Sequence, residues 1–241
     1  MSPIPEPLPA PPPDPGQGEW GSQPVYSRGD DLAFATVAAA ASAAADAAGW
    51  THASAHLNHY LDNSGELLTI NADAVLREVS AADTKANSIA EAELRRIIAE
   101  ASISQTFDTP VQFQSQWSGF YITRDLSDDW FFAMGGIHLS ATGVVTVHEP
   151  GEGAEPSITA EYTVHVHDRY NWDGDKSTEI AGVTVSDSRM GALHTAGLAQ
   201  EYYIEGSSGV RRYEGTAPST GPVNLPAAAD GRDGERSDPT R

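Results

Sequence analysis

The segment Ser157 to Asp175, SITAEYTVHVHDRYNWDGD, constrains this chain more than any other. From Ile158 to His167 it alternates without a break. Ile158, Ala160, Tyr162, Val164 and Val166 fall on one side, and Thr159, Glu161, Thr163, His165 and His167 on the other. A period of two belongs to a β-strand, and a strand with one apolar face needs neighbouring strands and a covering layer. The rest of the chain must supply both. Continued past His167, the alternation carries Asp168 and Tyr170 to the apolar side or its rim. A carboxylate there requires a partner, and Arg169 or His167 is the nearest charge.

The sequence on either side predicts the sheet. Residues 111–123 (VQFQSQWSGFYIT) begin with the same alternation. Trp130 to Ser140 (WFFAMGGIHLS) reads as a strand interrupted at Gly135-Gly136. Residues 141–143 (ATG) read as a tight turn, and 144–148 (VVTVH) as its hairpin partner. Ile180 to Val185 is a further strand. Ser186-Asp187 opens a helix that runs to Gln200, with Met190, Leu193 and Leu198 as its apolar contacts. Tyr202 to Glu205 and Val210 to Tyr213 flank Gly206 to Gly209 as a closing hairpin. Residues 105–214 thus predict an antiparallel sheet of about six strands with one helix against it.

Residues 30–104 predict helices. Asp30 and Asp31 suit a helix start, and the alanine run to Gly49 has high intrinsic propensity. That run is the one candidate membrane segment, but alanine transfers too weakly and Asp46 interrupts it, so no stable membrane insertion is expected. Leu67 to Ile70 is a short strand or extended link, and 71–79 and 82–102 are two more helices, the second with an apolar stripe of Ile89, Leu94, Ile97 and Ile98. Large apolar residues are too few here for an independent core, so this region should pack on the sheet. The expected class is α+β. The proline-rich leader (1–29) and the small, polar tail (215–241) have little to bury and are expected to be disordered.

With a net charge of −20, nucleic acid and anionic membrane are poor partners. The absence of cysteine excludes disulfides and thiolate chemistry. No basic-then-apolar leader is visible, so the chain is expected to be cytoplasmic or exported without a classical signal peptide.

Candidate chemistry gathers where the alternating strand ends. Asp168, Tyr170, Asn171, Trp172 and Asp173 could form a hydrolytic site, with an aspartate as base and Tyr170 or Asn171 as hydrogen-bond donor. They could instead bind a ligand, or form a capped turn that Trp172 covers. Asn171, Asp173 and Asp175 have the one-three-five spacing of a calcium loop. Lys176 stands at its glycine position and Gly182 at its glutamate position, so the motif fails. His165 and His167 share one strand face, with His138 and His148 nearby, and are candidate ligand-binding residues. In a helix over residues 50–61, His52, His56 and His59 lie on one face but span roughly 10 Å, too far to close on one ion. No metal site or cofactor is expected.

Two stretches, Ala55 to Glu66 (AHLNHYLDNSGE) and Trp130 to Ser207, the latter with DRYNWD at 168–173 and LHTAGLAQE at 193–201, resemble a streptomycete-type actinobacterial family with no established activity. Some similar sequences follow a helical export-type domain. That implies a secreted effector with a protein partner of the export-apparatus or immunity type. A local similarity reaches colicin M, a bacteriocin that cleaves the lipid II peptidoglycan precursor. Asp168, Tyr170 and Asn171 match its D-x-Y-D run, while Ser177 and Thr178 stand where that family has His-Arg. The expected function is a non-catalytic interaction or effector-type module. The alternative is a hydrolase of a cell-envelope precursor using Asp168, Tyr170 and Asp173.

Overall fold

The computed structural model describes residues 3–12, 16–151, 153–172, 177–217 and 223–228. In chain order the elements are α1 (Gly29–Ala47), α2 (Thr51–Leu61), β1 (Leu68–Asn71), α3 (Ala72–Glu78), α4 (Ser80–Ser104), β2 (Pro110–Gln114) and β3 (Ser118–Tyr121). Then come α5 (Asp128–Ala133), β4 (Gly136–His148), β5 (Ser157–Tyr170), β6 (Ser177–Ile180), β7 (Val183–Ser186), α6 (Asp187–Thr195), β8 (Tyr202–Ser207) and β9 (Arg211–Thr216). Local chemistry sets several starts. Asn71, Ser127 and Ser186 each accept a backbone N–H from two or three residues ahead, capping α3, α5 and α6.

The α+β class holds, but the sheet is larger than expected and mixed. Among the described residues seven strands form it, in the order β1-β8-β5-β4-β2, with β3 also on β4 and β9 also on β5. β1 runs parallel to β8, and the other pairs are antiparallel. The predicted alternation of β5 is reproduced: Ile158, Ala160, Tyr162, Val164 and Val166 all lie in the core. The helical region packs on that side, with α4 lying along β4 and contributing Leu94 and Ile97. A buried ion pair ties the layers, Arg211 of β9 lying 2.7 Å from Asp83 of α4. Among the described residues no helix is long and apolar enough to cross a membrane.

Three local expectations are corrected. First, residues 130–148 do not form a hairpin. Ser127 nucleates the short helix α5, and β4 runs unbroken through Ala141, Thr142 and Gly143. Gly143 serves close packing rather than a turn: a Cβ there would stand 2.5 Å from the Glu161 carbonyl oxygen and 2.6 Å from the Phe113 ring. Second, β8 and β9 do not pair with each other. Both lie on the same edge of β5, His165 opposite Ser207 and Tyr162 opposite Arg211, so three residues face two and the strand bulges. Ser208 fills the bulge: its N–H donates to the Val164 carbonyl and its hydroxyl accepts the Val164 N–H. Third, the strand expected over Ile180 to Val185 is a separate hairpin of β6 and β7, turning at Ala181 and Gly182, both with positive φ.

Parts of both expected disordered ends make defined contacts. Residues 3–12 lie beside β2, accepting hydrogen bonds from Gln112, Gln114 and Trp117. Gly21 and Gln23 donate backbone N–H groups to His194 and Thr195 of α6. At the other end, Val223 and Ala228 donate N–H groups to Glu91 and Asp83 of α4. The rest of the expected tail, 218–222 and 229–241, lies outside the described residues.

Candidate functional site

Where β5 ends, it opens into a cleft of about 480 Å³. One wall is Tyr121 of β3 with Phe131 to Gly136. The other is Asp168 to Trp172 with Ser177 and Thr178 of β6 and Asp187 of α6. The predicted candidates Asp168, Tyr170, Asn171 and Trp172 therefore meet in one place. Asp173, the other expected catalytic residue, lies outside the described residues, as do Asp175 and Lys176.

The alternation places Tyr170 on the core side, as expected, and burial decides its chemistry. Its ring stacks on Tyr202 at 5.1 Å and 16°, and further ring contacts come from Tyr60, His56 and Trp172. Burial pushes the Tyr170 hydroxyl well above the ordinary tyrosine range, and the Trp172 side chain offsets this only in part. Tyr202 and Tyr60 are raised too, first by burial. Both act as structural donors, Tyr202 to the His56 carbonyl at 2.9 Å and Tyr60 to the Met190 carbonyl at 2.8 Å. Asp168 shares their side of the strand and is itself buried.

Arg169 points to the other face of β5. Its guanidinium lies 2.7 Å from Glu201, whose side chain is 1% exposed, and over the Tyr203 ring. Glu201 also accepts the Gln17 N–H, while the Gln17 side-chain amide donates to the Trp172 carbonyl at 2.5 Å. The His194 ring lies between the Glu201 N–H, which donates to Nδ1, and the Gly18 carbonyl, which accepts from Nε2. That arrangement requires a neutral ring protonated at Nε2. Sequence reasoning missed Gln17 and Glu201, because their burial comes from segments far apart in the chain.

His165 and His167 lie across the sheet from the cleft and do not join it. Both are buried. His165 is held at both nitrogens, by Thr142 at 2.9 Å and Ser207 at 2.8 Å, and burial lowers its pKa. His167 stands opposite His138 and edge-on to Trp117. Burial lowers its pKa as well, with His138 adding to the effect and Glu205 opposing it. His148 instead bonds Asp108 and Thr159. Among the described residues no group of three His, Asp or Glu side chains is placed to hold a metal.

The α2 histidines separate by environment. His52 stacks on Trp130 at 3.8 Å and stands 3.4 Å from Glu78. His59 bonds the Glu66 carbonyl and meets the Tyr202 ring edge-on. His56 is in the core, and burial lowers its pKa to about 4, with His52 adding to the effect. The chain matches no protein family, no curated protein and no solved structure with which it was compared.

Proposed function

We propose that this chain acts by binding, as a non-catalytic interaction module of the secreted-effector type, with another protein as its partner. The observation that carries this reading is the setting of Tyr170. A general acid or base works best with a pKa near the working pH and an open path to its substrate. Tyr170, though at the cleft wall, is instead 6% exposed and packed in an aromatic cluster, with burial keeping its hydroxyl protonated. The cleft beside it has aromatic walls in Tyr121, Phe131, Phe132 and Trp172 and a few polar groups, a composition suited to holding a ligand.

One observation favours the hydrolase reading. Ser177 and Thr178, which stand where the colicin M family has His-Arg, line the same cleft as Asp168, Tyr170 and Asn171, which supports the alternative only in position. The two readings separate in one assay. The purified protein is incubated with the lipid-linked peptidoglycan precursor, alone and as Asp168→Asn and Tyr170→Phe. The binding reading expects the precursor to stay intact in every case. Cleavage by the native chain, lost in variants that melt at the native temperature, would replace it with the hydrolase.

A further inference from the structure

We propose that the polar face of the sheet is a recognition groove for proline-rich segments, filled in cis by the chain's own leader and able to take a proline-rich segment of another protein in trans. This goes beyond the reading above. It concerns the opposite face of the sheet from the cleft and names the partner's chemistry.

The leader has one available shape. In Pro3 to Pro12 (PIPEPLPAPP) every residue is a proline or precedes one. Proline fixes φ, and the residue before it is driven out of the helical region, so the segment is extended. Its prolines have no N–H, which bars a full strand ladder. Its carbonyls remain acceptors, so a surface that reads such a chain must donate to them.

The protein supplies such donors from side chains. Gln112 Nε2 donates to the Pro3 carbonyl at 2.6 Å, Gln114 Nε2 to the Glu6 carbonyl at 2.6 Å, and Trp117 Nε1 to the Leu8 carbonyl at 2.9 Å. Gln112 and Gln114 are two apart on β2 and so project from one face, while Phe113 between them is buried in the core. Donation from an indole to the carbonyl of a proline-rich chain is how aromatic grooves take polyproline segments. The neighbouring floor is polar yet buried: Ser140, Thr142, His165 and His167 are each less than a tenth exposed. Glu6 of the leader lies close enough to His165 for its carboxylate to favour the charged ring.

The occupant is seated rather than entombed. None of residues 3–12 is fully buried, and Ile4, Pro5, Pro7, Leu8 and Pro11 are half-buried, so its hold combines those carbonyl contacts with partial apolar packing. Its advantage over a rival is the tether, which gives it an effective concentration on the order of millimolar.

The chain has no cysteine, so Ser2→Cys provides a single dye site at the end of the leader. Dye anisotropy in the full chain then reports whether the leader is seated. Combining Gln112→Ala, Gln114→Ala and Trp117→Phe should lower the anisotropy towards that of a free tether; an unchanged value overturns the proposal. Titrating the otherwise native labelled chain with the peptide IPEPLPAPP should lower it saturably, while the same peptide with its prolines replaced by alanine should leave it unchanged. If the triple variant releases the leader but the proline-rich peptide does not, the groove serves the cis strap alone and the partner in trans is refuted. If unlabelled full-length chain displaces the leader as well as the peptide does, the occupant is a second copy, and the proposed partner is again refuted.

Discussion

Tyr170 at the end of β5 lies flat on its cross-strand partner Tyr202 of β8, the ring centroids 5.1 Å apart and the planes 16° from parallel. The pair closes the core beneath the cleft. Removing the ring should cost what a large aromatic core truncation costs, about 3–5 kcal/mol for Tyr170→Ala. Tyr170→Phe keeps the stack and should cost within about 1 kcal/mol. Urea midpoints at constant m-value measure both.

Arg211 and Asp83 form an ion pair at 2.7 Å with side chains 4% and 12% exposed. Arg211 also donates to Asn87, which accepts the Tyr162 hydroxyl proton as well, so one network joins β5, β9 and α4. Removing one partner of a buried pair strands the other charge. Arg211→Met should therefore destabilise by about 3–5 kcal/mol, and Arg211→Met with Asp83→Leu should cost less than the single change. A double-mutant cycle by chemical denaturation gives the coupling.

His56 predicts an acid limb in the stability curve. Its pKa is lowered from 6.5 to about 4 in the folded chain, so the unfolded chain takes up the proton first. Stability should be intact above about pH 6.5, fall as the pH drops towards 4, and level off below that, losing roughly 3 kcal/mol in all. Denaturation at steps between pH 7 and 4 should show this slope, and His56→Gln should reduce it, leaving the share that His165 and His167, also lowered by burial, contribute. An unchanged slope in the variant would assign the proton uptake elsewhere.

Gly143 sits mid-strand where a side chain would strike the Glu161 carbonyl and the Phe113 ring, whereas a Cβ at Gly119 of β3 would meet nothing within 4 Å. Gly143→Ala should cost about 1–3 kcal/mol as an overpacking change. Gly119→Ala should be close to neutral. Thermal unfolding of the two variants side by side makes the comparison.

What the sequence determined by itself was local. The alternation of β5 assigned each residue from Ile158 to Tyr170 to its face, with Asp168 and Tyr170 on the apolar side or its rim; the cleft beside them came only with the tertiary structure. Alanine content and apolar spacing located α1 and α4, and Ser186 marked the start of α6, because propensity and capping act within one or two turns. The aromatic run Trp130-Phe131-Phe132 read as strand, and there the Ser127 cap outweighed β propensity. Only the tertiary structure decided which strands pair. Nothing near Leu68 indicates that β1 will run parallel to β8, and nothing near Gly206 to Gly209 separates a bulge from a hairpin turn. It also decided what covers the polar face. The alternation places His165 and His167 on that side, but their surroundings come from outside their own strand: Thr142 and Ser207 bond His165, Trp117 meets His167 edge-on, and the charge of Glu6, more than 150 residues away in sequence, acts on His165. Periodicity is carried by neighbours in the chain; register and burial are set by residues that meet only after the chain has folded.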